Sequence, residues 1–419
     1  MDKRSFIKGL ALAGFSAPLS GRSLAGWMDS IGHIHPDKIS APEDFWLSVR
    51  AGYRLKPEYI NLENGYYNFL PEELLENFIS KVRMVNYEGS YYMRTVQFDN
   101  KKAIAARLAK LAGCEPDELI ITRNTTESLD MIIGGLHWIA GDEAVMAEQD
   151  YGSMLEMFKL VAKRHGVVNK IVSIPNHPVS DEQIVDLYAA AISSRTRLLM
   201  VSHMINITGQ ILPIRKICDM AHSKGVGVMV DGAHTLAHIQ FSIADLHCDY
   251  FGASLHKWLS APLGAGMLYV KKENIHKVWP LLAEAERSED DISRLNHIGT
   301  HPVHTDLAIA GAIDYYEKIG AEKKEARLRY LQQYWTNKAR ALPGVIVNTP
   351  EDPARACGIA NVGIKEMKPG ALAETLLKKY NIYTVAIDYA NVHGCRITPN
   401  LYTTPEDLDQ LLKALKELS

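Results

Sequence analysis

Between Asp117 and Val270 the chain repeats one alternation: a short apolar, β-rich run, then in most cases a segment of helix length. The runs are "ELIIT", "EAVMA", "NKIVSI", "RLLMVS", "GVGVMVD", "DYFGAS" and "AGMLYV". The helix-length segments between them include Thr126–Ile139, Ser153–His165, Glu182–Ile192 and Ile214–Lys224. Strands joined by crossover helices run parallel and carry helices on both faces. The runs are nearly all apolar, as strands covered on both sides should be. The prediction is an α/β fold: a three-layer α/β/α large domain around a mostly parallel, seven-stranded sheet. The connection from "DYFGAS" to "AGMLYV" is shorter and suits an antiparallel strand.

The last ~95 residues mix strands and helices, the pattern of a smaller α+β C-terminal domain. It holds a helix over Glu322–Leu342, the run "GIANVGI", a helix over Ala371–Tyr380, "CRITP", and a final helix from Pro405. Residues from about Ser40 to Tyr67 are expected to pack against this unit, and the polar stretch Ala283–His304 reads as a long loop. The expected division is 27–60 as an N-terminal segment on the small domain, 61–320 as the large domain and 321–419 as the small one.

Residues 1–26, "MDKRSFIKGLALAGFSAPLSGRSLAG", have a basic start, a short apolar run and a small-residue end, the build of an export signal. "KRSFIKG" resembles a twin-arginine signal with Lys3 in place of the first arginine, which implies a periplasmic protein; a frayed terminal helix in a cytoplasmic one is the other reading. No later run has the ~18 apolar residues of a membrane span. The net charge of -3 gives no electrostatic case for nucleic acid or acidic membranes. Five scattered cysteines, with no CxxC pair, point to neither a disulfide framework nor a zinc site, and no metal is expected.

Within "GASLHKWLSAPLGAG" a single lysine, Lys257, sits between His256 and Trp258, after Ser254. An apolar setting with a neighbouring cation lowers a lysine's affinity for its proton and makes its amine a nucleophile. One use is a Schiff base with pyridoxal phosphate, which also needs a phosphate cradle, a carboxylate at the ring nitrogen and a flat group on the ring face. "VMVDGAH" puts Asp231 at the C-terminal end of a strand, where open α/β sheets bind ligands; it reads either as the ring-nitrogen partner or as a helix cap. "TRNTTES" ends a strand and opens a helix, so Thr125 and Thr126 read either as phosphate ligands or as plain capping residues.

In order along the chain, "TRNTTES", "EQDYGSM", "VSHMINITGQILPI", "VDGAH", "GASLHKWLSAPLGAGMLYV", "HIGTHP" and "CRITPNLYTTPEDLD" resemble the class V aminotransferases. These are fold-type-I pyridoxal-phosphate enzymes that include cysteine desulfurases. The resemblance spans about residues 60 to 415 and is nearest to the isopenicillin N epimerase-like group. It implies that Lys257 carries the cofactor as an aldimine and moves protons, and that Asp231 pairs with the pyridine nitrogen. It implies His234 and Asn206 near the phenolic oxygen, and Thr126, Ser254 and His256 on the phosphate. Tyr151 matches the group stacked on the ring, and Arg396 the arginine that forks a substrate carboxylate. Thr300 matches a residue lent to the neighbouring subunit's phosphate site, which implies a homodimer. Asn64 matches an N-terminal strand that reaches the active site, while Asn64-Gly65 alone reads as a hairpin turn.

The resemblance also implies chemistry at the α-carbon of an amino acid. Epimerisation, transamination and β-elimination share their first stage and all remain open. The stretch "YTVAIDYANVHGCRI" lacks the loop cysteine of desulfurases, since Cys395 comes only beside Arg396. Tyr151 is a candidate acid for the face opposite Lys257. No HExxH or GxSxG motif supports a hydrolase. A non-catalytic binding protein of the same fold is the remaining alternative.

Overall fold

The computed structural model describes residues 43–282 and 284–419. The export-signal reading of 1–26, and the expected N-terminal segment up to residue 42, lie outside the described residues.

Thirteen strands are described. The first, β1 (Ile60–Asn61), precedes the seven of the large sheet: β2 (Leu119–Thr122), β3 (Glu143–Ala147), β4 (Val168–Val172), β5 (Thr196–Ser202), β6 (Gly227–Asp231), β7 (Tyr250–Ser254) and β8 (Gly266–Val270). The order across the sheet is β2-β8-β7-β6-β5-β3-β4. Only β8 runs antiparallel to its neighbours. The reason is local: the chain from Leu255 to Ala265 contains no helix, so no crossover can turn β8 parallel to β7.

Alternation along each strand sorts the core into two layers. Val228 and Val230 of β6 join Leu108, Ile217, Phe251 and Ile309 on one face. Met229 joins Leu129, Ile132, Phe158 and Met200 on the other. The edge strand β4 departs from the all-apolar pattern. Its Lys170 pairs with Glu143 at 2.8 Å, a charged side chain of the kind that blunts a sheet edge. The polar stretch expected to be a loop contains a 3-10 turn, Ile292–Asn296, because Ile292 and Leu295 are buried in the second layer.

The C-terminal strands are β9 (Val345–Val347), β10 (Ala360–Ile364), β11 (Ile382–Tyr383), β12 (Val385–Tyr389) and β13 (Val392–Ile397). Four form an antiparallel sheet in the order β12-β13-β10-β9, and β11 pairs with β1 in parallel. Helices Ala321–Arg340, Pro369–Tyr380 and Pro405–Leu418 contribute Trp335, Leu376 and Leu411 to its core. The first described helix, Glu43–Arg50, is tied to these elements by Glu43–Arg327 at 2.7 Å and Arg50–Asp407 at 2.8 Å. The β12–β13 hairpin turns through Ala390 and Asn391, both at positive φ, and Ala390 O accepts a bond from Gln149 Nε2 at the end of the large sheet. Among the described residues, no helix is long and apolar enough to cross a membrane.

Candidate active site

The C-terminal ends of β5, β6 and β7 lie side by side, with Ser202 opposite Asp231 and Asp231 opposite Gly252. Lys257 follows β7 and His234 follows β6, so the loops leaving adjacent strands bring them together. Lys257 Nζ is 3.1 Å from His234 Nε2. The indole N–H of Trp258 donates to His234 Nδ1 at 3.3 Å. An indole N–H can only donate, so Nδ1 is the accepting nitrogen and the proton of the neutral ring sits on Nε2, toward the lysine. In its free-base form the lysine amine accepts from that N–H. Burial pushes Lys257 down to about 8; Arg396 adds to this, while Asp231 and Glu63 oppose it. Burial also takes His234 well below the ordinary histidine value, with the Lys257 charge second, so its ring stays neutral.

Trp258 is held from behind. It stacks on His238 with ring centroids 3.7 Å apart. His238 Nδ1 donates to His234 O at 2.7 Å, and its Nε2 accepts from Gly358 N at 2.8 Å. His238 is thus a satisfied core histidine, and its work is to fix Trp258. Asp231 is buried, with one carboxylate oxygen accepting from Ala233 N at 2.9 Å. Burial raises its pKa against the pull of that N–H and of Lys257. Asp150, just before Tyr151, is also buried and is raised to about 7 by desolvation. It accepts from Ser202 Oγ at 2.7 Å.

The start of helix Thr125–Gly135 bears on the two readings of "TRNTTES". Asn124 is its cap, accepting from Glu127 N at 2.8 Å. Ser128 Oγ serves backbone carbonyls of Asn124 and Met267. Capping therefore does not use Thr125, whose hydroxyl is 2.7 Å and whose N–H is 3.0 Å from Ser254 Oγ. Thr126 follows, half-buried. Gly266 permits this arrangement: a Cβ there would stand 2.5 Å from Asn124 N. His256 Nδ1 is buried and has no partner among the described residues.

Arg396, on β13, reaches back to the mouth of the site. Its Nη1 donates to Asn206 O at 3.2 Å, and Glu63 takes its Nη2 at 2.5 Å. Tyr389 is near both; burial raises its phenol against the pull of Arg396 and of an Asn206 hydrogen bond. Asn64 forms no hairpin. It is buried, and its Nδ2 donates to Thr398 O at 2.6 Å, because the chain at 62–65 runs alongside residue 398. Tyr151 is 40% exposed at the N-terminus of helix Gly152–His165. Thr300 is exposed and, among the described residues, has no hydrogen bond to the cluster. Cys395 alternates with Arg396 on β13, so it faces the small core. Burial pushes its thiol up to about 11 and its Sγ is 3.6 Å from Pro369 O. A cavity of about 780 Å³ lies elsewhere, between Leu47 and Tyr402, and is lined by none of the candidate residues. Sequence reading missed Glu63, Asp150 and the Trp258–His238 stack; of these only Asp150, an acid at a strand end, carried a local signal.

A covered, mostly parallel sheet with a buried lysine beside a strand-end aspartate and a helix N-terminus defines the class: a fold-type-I pyridoxal-phosphate enzyme. The sequence profile of the aminotransferase class-V family matches residues 82–411, and the chain belongs to that family. It is 27% identical over 397 residues to the isopenicillin N epimerase of Streptomyces clavuligerus, covering 89% of this chain and 98% of that protein. It is 26% identical to a probable cysteine desulfurase of Halalkalibacterium halodurans, covering 82% of this chain and 88% of that one. A solved cysteine desulfurase from Thermococcus onnurineus NA1 shares the fold with a TM-score of 0.78 at 21% identity, covering 90% of this chain and 98% of its own.

Pyridoxal phosphate is the cofactor, and the residues fit it. The orphaned, buried His256 Nδ1 and the Thr125–Ser254 hydroxyl pair at a helix N-terminus suit an anion. The buried Asp231 carboxylate, its pKa raised by desolvation, suits a pyridinium. The buried Lys257 amine, its pKa lowered to about 8, suits an aldehyde.

Proposed function

We propose that this chain acts at the α-carbon of an amino acid, as an epimerase or racemase of the isopenicillin N epimerase-like type. The observation that carries the reading is the buried amine of Lys257, 3.1 Å from His234 Nε2, its pKa lowered to about 8 with Asp231 and Arg396 near enough to shift it. When bound, the cofactor supplies an electron sink that acidifies the bonds at Cα of an attached amino acid. Lys257 would hold its aldehyde and, once released, take the Cα proton; a pKa of about 8 leaves it enough free base at neutral pH. Asp231 would keep the ring nitrogen protonated. Thr125, Thr126, Ser254 and His256 would hold the phosphate, and His234 and Asn206 would lie at the phenolic oxygen. Arg396 would fork the substrate carboxylate, with Asn64 fixing the adjoining strand. Tyr151 would return a proton to the opposite face.

The likeness to epimerases over 98% of their length supports this product, and so does the burial of Cys395, which removes the cysteine nearest Arg396 as a sulfur acceptor. We further propose a homodimer, in which the exposed Thr300 reaches the partner's phosphate site. The test is a screen of L- and D-amino acids in deuterated water, with and without an oxo-acid acceptor. Deuterium at Cα with mixed chirality supports the reading. A new amino acid formed only with acceptor would make the chain an aminotransferase, and pyruvate with a released β-substituent would make it a lyase.

A further inference from the structure

The Nε–Nη2 edge of the Arg396 guanidinium is already occupied. Glu63 takes its Nε at 3.2 Å and its Nη2 at 2.5 Å, and Asn206 O takes its Nη1. The two charged side chains are only 8% and 7% exposed. A substrate carboxylate therefore cannot take the Nε–Nη2 edge of the guanidinium while Glu63 stays. The backbone beside Glu63 cannot retreat either. Leu62 O accepts from Thr398 N at 2.8 Å, and Asn64 N donates to Thr398 Oγ1 at 2.5 Å. Gly65 passes over the guanidinium so closely that a Cβ would lie 2.5 Å from Arg396 Cζ. The Glu63 carboxylate is held differently: besides Arg396 its partner among the described residues is the Tyr66 amide, at 3.0 Å, and Tyr66 itself is exposed.

We propose that Glu63 is an internal stand-in for the substrate carboxylate: it fills the Arg396 fork in the empty enzyme and rotates out when an amino acid binds. This rests on the proposed role of Arg396. A buried guanidinium left without a partner is strongly destabilising, and an exchange of one carboxylate for another avoids that state at both ends of the step. Such an occupant also sets specificity. A ligand must match a planar, two-oxygen anion to displace it, and its apparent affinity falls by the fraction of time the fork is open.

The test uses full-length holoenzyme titrated calorimetrically with propionate, a carboxylate without an amine. Glu63→Gln should bind propionate at least about tenfold tighter than wild type, since a neutral amide is the poorer occupant. Arg396→Gln should lose binding. Lost binding in Arg396→Gln with unchanged affinity in Glu63→Gln overturns the proposal and leaves the role of Arg396 standing. Unchanged affinity in both overturns that role and the proposal with it. Wild type gives an independent readout: the Tyr66 amide donates to Glu63 Oε1 at 3.0 Å, so its hydrogen exchange should quicken under saturating propionate. An unaltered rate there also refutes the displacement.

Discussion

Capture of the cofactor by apoprotein should follow the titration of Lys257, and the structure sets where. With a pKa of about 8, roughly a quarter of the lysine is free amine at pH 7.5, against roughly one part in a thousand for an ordinary lysine. The rate at neutral pH should thus exceed that of a surface lysine by about two orders of magnitude. It should rise with pH through a midpoint near 8 and then level off. The larger opposing influence is Asp231, whose charge favours the protonated amine. Asp231→Asn should move the midpoint lower, even though it weakens retention of the cofactor. Stopped-flow absorbance of apoprotein mixed with pyridoxal phosphate, from pH 6 to 10, gives the profile, and the midpoint rather than the amplitude is the readout. A rate still climbing at pH 10 would refute the buried, desolvated amine. A midpoint that rises in Asp231→Asn would refute the assigned coupling.

Other outcomes follow from single contacts. Lys257→Ala should abolish turnover and leave any bound cofactor removable by dialysis; retained turnover would overturn the mechanism. Ser254→Ala should weaken cofactor binding about tenfold or more, as expected for one hydrogen bond to a charged group, measured by equilibrium dialysis. Tyr151→Phe should slow racemisation in the direction that needs a proton from its face, and an unchanged rate would remove Tyr151 from the chemistry. Lys324 is buried and is pushed down to about 7, with its Nζ donating to Trp258 O. Between pH 7 and roughly 10 the unfolded chain then holds the extra proton, so the wild type gains stability as pH rises. Lys324→Met should flatten that dependence in denaturant titrations at several pH values; parallel curves would contradict it.

What could be read from sequence follows the range of the interactions. The large sheet is legible because each strand and crossover helix is a local pattern, and even the one antiparallel strand shows as a connection too short for a helix. The strand-end Asp231 and the loop carrying Lys257 are legible for the same reason. The Glu63–Arg396 pair is not: its members are 333 residues apart, and nothing in "NLENGYYNFLP" marks Glu63 as the acid that matters. The Asn64-Gly65 turn signal misleads there, because pairing with residue 398 outweighs the local preference. Nor does the sequence say how the two histidines serve Trp258. His234 and His238 lie four residues apart in a run of turns, and only the packing makes one accept the indole N–H and the other stack on the indole ring.

The most direct test of the central claim is borohydride reduction of the holoenzyme, then digestion and mass spectrometry to locate the trapped cofactor. The account predicts the added mass on the peptide containing Lys257 and on no other. Lys324 is the informative rival, since it too is buried with a depressed pKa. Cofactor on Lys324, or on no lysine at all, would contradict the account.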